Sequence, residues 1–214
     1  MTYDEFEQLL FDRDVIDPPW YDGDEATELD TLGPEDLCLV EMVFRNSIQI
    51  RTRYSEQQLY HGLNYLVNPS ASDFCFRYFD PTKDAGASAR VIQSMYYVFA
   101  DLFGVRFTKN ERFTLLPESE ALGLRWLCNM WWDLLPRHGV PRLEMLVAVD
   151  RAVLETLGKI ADLPNFACKE AAIHGLGHWF SACPERVLNI LDSVPDLPRE
   201  LVDYASSAKR GQIQ

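Results

Sequence analysis

The sequence predicts an all-α domain of antiparallel helix pairs with an irregular acidic segment in front of it. Three observations carry that expectation. Apolar residues recur at helical spacing through most of the body, proline, glycine and Ser/Asn positions fall where helices begin and end, and one helical tripeptide, His-Gly-Leu, occurs twice. With 214 residues, 47% of them apolar and 25% charged, the chain can bury a substantial core. Asp, Arg, Asn or Lys interrupts every apolar run well short of a bilayer's thickness, so no membrane span is expected. The chain divides into an acidic segment at residues 1–34, a helical domain at 35–208 and a tail at 209–214.

In the acidic leader, Tyr3 to Phe11 has the pattern of a short amphipathic helix. Asp17-Pro18-Pro19-Trp20 reads as extended, because each proline disfavours helix in the residue before it. A tail left in water has no need of Phe6, Leu10, Phe11, Trp20 and Tyr21, so the leader is expected to lie on the body by its aromatics, with its carboxylates outward. Gly33-Pro34-Glu35-Asp36 then opens a helix over residues 35–52, with Leu37, Val40, Phe44 and Ile48 on one face. Ser55 and Gln58 fit a capping box for a helix to Val67, and Asn68-Pro69-Ser70 stops it.

Residues 69–87 stay unassigned: an aromatic run of Phe74, Phe76, Tyr78 and Phe79 leads into turn-forming residues from Asp80 to Gly86. Ser88 begins a helix with Val91, Met95, Val98 and Leu102 on one face, ended by Gly104. Residues 105–116 alternate loosely, as an extended loop or a short hairpin. Ser119 caps a very apolar helix from Glu120 to Leu135. Pro141 starts a helix to Ile160, Pro164 precedes one from Asn165 to Ala182, Pro184 opens another through Ser193, and Leu197 to Ala208 forms the last.

The two His-Gly-Leu copies sit in matching contexts, Leu59 to Val67 and Ala172 to Phe180, with 113 positions between their histidines. Glycine inside a helix costs about 1 kcal/mol relative to alanine, so Gly62 and Gly175 imply another helix approaching closely. Around the second copy, the run from Cys168 to Gly177 resembles the second helix of a HEAT repeat, which typically reads Val-Arg-x-x-Ala-x-x-Ala-Leu-Gly. Ala172, Leu176 and Gly177 match, Gly175 replaces the small residue, and Cys168-Lys169 stands where Val-Arg usually does. Together with the helix from Pro141, residues 141–194 make one unit. The resemblance implies helix pairs stacked as a short HEAT-like superhelical array, and it transfers no catalytic residue.

Charge is the strongest functional signal. Of the net −13, residues 1–36 hold −12, with thirteen acids against Arg13 alone, and the other 178 residues hold −1. Nucleic-acid binding needs clustered Lys and Arg, and none occurs, so that class is excluded. The leader is either a solvating face or a docking surface for a basic partner, with Asp22, Asp24, Glu25 and Glu28 at its centre.

Chemistry-bearing patterns are few. Cys38, Cys75, Cys128, Cys168 and Cys183 are odd in number, and no two make a Cys-x-x-Cys, so they read as buried thiols. Glu170, His174 and His178 at i, i+4 and i+8 place a carboxylate and two imidazoles along one helix stripe, a candidate metal triad. The His-Glu-x-x-His order of catalytic zinc helices is missing, because Gly175 follows His174. The favoured expectation is therefore a non-enzymatic protein-binding module with no cofactor. A small, acidic, helical protein of this kind is similar to the immunity proteins that neutralise bacterial toxins. Its binding surface would be the acidic leader or a concave face near His174, His178 and Trp179. The alternatives are an adaptor, or a metal-dependent enzyme using Glu170, His174 and His178. An opening segment without the basic-then-apolar order of a secretory signal predicts a cytoplasmic location.

Overall fold

The computed structural model describes residues 1–15, 17–23, 29, 32–33, 36–108, 110–116, 123–138 and 147–213, and among them there are helices and no strand. Helix α1 spans Tyr3–Phe11 and opens with a capping box in which Thr2 and Glu5 satisfy each other's amides. A single 3₁₀ turn follows at Trp20–Asp22. The expected helix over 35–52 is broken in two, α2 at Asp36–Arg45 and α3 at Ser47–Arg53. The break has a local cause: the buried Ser47 hydroxyl donates to the Phe44 carbonyl at 2.6 Å, drawing the backbone into a turn at Asn46.

Helix α4, Glu56–Val67, begins with the expected Ser55/Gln58 box. The unassigned stretch after it contains one helical turn, α5 at Phe74–Arg77. Helix α6, Ala85–Tyr97, starts three residues earlier than Ser88 predicts, because Asp84 accepts from the Ala87 amide at 2.6 Å and outcompetes a serine that is itself buried. Nor does Gly104 end it. The chain continues through a π-helical segment, Val98–Phe103, and one more turn to Arg106. The loop-or-hairpin expectation for 105–116 resolves, among the described residues, into extended backbone and a 3₁₀ turn at Phe113–Leu115.

The last four helices are α8, Val147–Ala161, α9, Phe166–Trp179, α10, Pro184–Ser193, and α11, Arg199–Ala208; α7, Leu124–Leu134, precedes them. The proposed cap Ser119 and the proposed start Pro141 lie outside the described residues. Helix α9 begins as expected at Asn165, whose side chain accepts from the Cys168 amide. The sequence tail is not loose, for Ile213 folds back until its side chain covers Gly177.

Packing runs mostly between helices that are not consecutive in the chain. One run takes α2 onto α6 and α6 onto α8; the other takes α1 onto α4, α4 onto α7, α7 onto α9, and α9 onto α11. Helices α8 and α9 join the two runs, because the connection at 162–165 turns the chain back on itself. Aromatic residues fill the space between the runs. Trp131 of α7 packs edge-on against Phe44, Phe99 and Phe103 at 5.7–5.8 Å, and its indole N–H points at Met95 Sδ. Cys75, Cys128 and Cys168 are buried thiols, and burial pushes Cys75 up to about 12. No helix among the described residues is long and apolar enough to cross a membrane.

Gly62 and Gly175 each face a neighbouring helix. A Cβ on Gly62 would lie 2.4 Å from the Phe11 ring and 2.8 Å from the Leu10 carbonyl of α1; one on Gly175 would lie 2.8 Å from Trp132 of α7 and Leu157 of α8. Alanine at an open helical position gains up to about 1 kcal/mol over glycine, so the sign of the substitution reports on space. Gly62→Ala and Gly175→Ala are each expected to destabilise, by about 1–3 kcal/mol in a urea titration, and a gain in stability at either site would refute the close approach.

Candidate functional site

Helix α9 is the best-enclosed element, since every one of its residues except His178 is buried. A helix buried all round has no polar face, so each polar side chain on it needs a partner inside the protein. Lys169 finds two, donating to the Ala161 carbonyl at 2.8 Å and the Pro195 carbonyl at 2.9 Å. It thereby places a cation at the C-terminus of α8, while burial pulls its own pKa down.

Glu170 turns toward the segment before α7. Its carboxylate accepts from the Phe113 amide at 2.9 and 3.0 Å, from Arg125 at 3.0 Å and from Arg112 at 3.3 Å. Burial raises its pKa, and the Phe113 amide and the two guanidinium groups pull against that rise. Arg112 also lies over the Tyr204 ring, 3.9 Å from its centroid. Glu170 is therefore committed to a buried ion network and is not a member of a triad with the two histidines. The physical reason is rotation along the helix: eight residues displace a side chain by most of a quarter turn, enough to aim it at a different neighbour.

Asp133 of α7 takes the place expected of Glu170. His174 Nε2 lies 2.7 Å from Asp133 Oδ2, His178 Nε2 lies against Asp133 Oδ1, and the two Nε2 atoms are 3.1 Å apart. Burial acts to raise Asp133, but the hydrogen bonds and charges of both histidines outweigh it and hold the carboxyl well below the usual range. On the far side of the His174 ring, Nδ1 is hydrogen-bonded to the Tyr204 hydroxyl, and burial raises that tyrosine. A third histidine, His138, stacks on His178 with ring centroids 4.8 Å apart, and its Nε2 bonds the Trp132 carbonyl at 3.1 Å. Burial, reinforced by the neighbouring His178, lowers His138. Three of the chain's four histidines thus gather around one carboxylate.

The cluster has one legible sign in the sequence: Asp133, which follows two tryptophans, is the one acid of α7. Its distance of 41 residues from His174 hid the pairing. The other proposed site residues scatter. Trp179 is 1% exposed and packs in the core, so it cannot line an open face. His174 is buried too, and only His178 keeps a surface.

The leader is anchored as expected by Phe6, Leu10, Phe11 and Trp20, all buried. Its described acids divide into two sets. Asp4, Glu5, Asp12, Asp14, Asp17 and Asp22 are exposed, whereas Glu7 and Asp36 turn inward, against the expectation that the carboxylates all face water. Glu7 accepts from Arg53 at 2.7 Å and Tyr54 at 3.1 Å, and Asp36 pairs with Lys83 at 2.7 Å and Arg77 at 3.2 Å. Those two pairs fasten the leader and the start of α2 to later segments of the chain. Asp24, Glu25 and Glu28 lie outside the described residues. No known protein family, curated protein or solved structure matches the chain.

Removing Arg125 would leave Glu170 buried with Arg112 and the Phe113 amide alone. Arg125→Met is expected to cost about 3 kcal/mol, the lower end for breaking a buried pair because those partners remain. The double variant Arg125→Met/Glu170→Gln should recover part of that loss in the same denaturant titration. Equal stabilities of Arg125→Met and the wild type would show that the network carries no such strain.

Proposed function

We propose that the chain is a non-enzymatic protein-binding module of the cytoplasm, most concretely an immunity or inhibitor protein that captures a basic partner such as a bacterial toxin. One observation carries this reading: six exposed carboxylates lie on a leader that buried aromatic anchors hold against the helical body. A charged tail that flexed freely would lose much of its field to conformational averaging and would be ordered only on binding. A segment already docked brings its charges in a fixed arrangement, and the ordering cost has been met during folding.

The helix runs beneath it supply a rigid support, which fits the HEAT-like reading of residues 141–194 as stacked helix pairs. The near-neutral remainder of the chain concentrates the negative potential at the leader, so a cationic partner would be steered there in preference to any other face. The alternative face near His174, His178 and Trp179 offers a partner little, because two of those three side chains are buried.

The partner is to be sought first as the product of the gene immediately upstream. Once both proteins are purified, Asp12→Asn, Asp14→Asn, Asp17→Asn and Asp22→Asn combined should leave the helical circular dichroism spectrum unchanged. Association measured by stopped flow at low salt should slow by about tenfold or more, and its salt dependence should flatten. An acidic partner, or an unchanged association rate in the quadruple variant, would reduce the leader to a solubilising surface.

A further inference from the structure

We propose that Asp133, His174 and His178 form a three-ligand site for a divalent transition-metal ion of the zinc class, with its fourth position open to solvent beside His178. The ligand atoms these residues offer all lie within 4.8 Å of one another. Ligand atoms around a tetrahedral ion with bonds of about 2.0 Å stand roughly 3.3 Å apart. The two Nε2 atoms are 3.1 Å apart and Asp133 Oδ2 is 2.7 Å from His174 Nε2, so the donors already converge at nearly the required separation.

The chemistry of the pair of imidazoles points the same way. If both Nε2 atoms carried protons toward Asp133, two N–H groups would face each other at 3.1 Å with no bond between them. With the proton on Nδ1 instead, both Nε2 lone pairs and the carboxylate address a single point, where a cation satisfies all three. Asp133 supports this, because its two carboxylate oxygens face the two imidazoles, Oδ2 toward His174 and Oδ1 against His178.

A supporting shell is also in place. His174 Nδ1 meets the Tyr204 hydroxyl, the kind of outer partner that fixes a ligating imidazole's tautomer and ring angle. Tyr204 is itself covered by Arg112, which Glu170 holds, and His138 stacks on His178 from the other side. Helix geometry keeps the two ligating imidazoles one turn apart on the rigid, enclosed α9, and Asp133 arrives from α7, so the ion would tie two helices together. The His174 side chain is 6% exposed, Asp133 18% and His178 30%, and this gradient places the way in, and the exchangeable fourth ligand, at His178. Two imidazoles and one carboxylate suit zinc and cobalt better than calcium or magnesium, which take oxygen donors throughout.

The full chain, stripped with chelator and titrated with Zn²⁺, is expected to retain about one ion after desalting and to melt at a higher temperature than the stripped protein. Co²⁺ in its place should give the intense visible absorption of a four-coordinate site with nitrogen donors. His178→Ala, a partly exposed position that leaves the core intact, should weaken Zn²⁺ binding by about tenfold or more, and Asp133→Asn should do the same, whereas His61→Ala on α4 should bind as the wild type does. Failure of the folded wild type to hold a stoichiometric ion would overturn the assignment, as would undiminished affinity in His178→Ala. Should Asp133→Asn fail to fold, His178→Ala decides the matter alone.

Discussion

Enclosure of α9 is the constraint on which the rest of the structure depends. Its glycines let α7, α8 and the chain terminus come close: Gly175 admits Trp132 and Leu157, and Gly177 admits Ile213. Close approach on all sides removes water from the helix, and that converts Lys169, Glu170 and His174 from ordinary polar residues into obligations. Each is met from outside the helix. Lys169 reaches the end of α8 and the loop before α11, Glu170 the segment before α7, and His174 both α7 and α11.

These obligations are linked. Glu170 holds Arg112, Arg112 covers Tyr204, Tyr204 bonds His174, and His174 bonds Asp133, so one polar chain passes through α9, α11 and α7. Such a chain contributes little net stability over an apolar packing of the same volume, because desolvating the charges offsets most of their attraction. What it supplies is register. Apolar helices can slide past one another by a turn at modest cost, whereas a slide here would strand a buried carboxylate, and that penalty exceeds what apolar repacking returns. The two inward-turned acids of the leader region act in the same way at the other end, where Glu7 and Asp36 pin α1 and α2 to later segments.

The parts of this architecture legible in the sequence are those set by neighbours within one helix. The capping box at Ser55 and the proline opening α10 announce themselves because each signal lies within three residues of the helix start it marks. Gly62 and Gly175 were legible for a related reason: a helical glycine has a local cost, so its presence implies a compensating contact, even though the partner stays anonymous. The identity of that partner, α1 in one case and α7 with α8 in the other, depends on how helices pack and has no trace in spacing. The candidate site divides along the same line. His174 and His178 are one turn apart and so legible as a pair; Glu170 shares their helix but turns to Arg112 and Arg125; Asp133 lies on another helix, beyond the reach of spacing. Helical periodicity reports which residues share a face, but not which way that face is turned.

The order of the helices also separates the two surfaces that carry functional proposals. Along the run α1, α4, α7, α9, α11, the leader sits against α4 at one end, and the histidine cluster lies where α7, α9 and α11 meet at the other. No hydrogen bond or ion pair among the described residues links the exposed leader acids to that cluster. Perturbations at sites with no shared partner usually add independently. The acidic face can therefore be neutralised without touching the cluster's ligands, and the cluster can be emptied of histidine without altering the field around the leader. If partner capture and metal binding prove coupled all the same, the packing of α4 on α7 is the contiguous route between the two sites, and its buried core positions are too tightly filled to shift by a fraction of an ångström without cost.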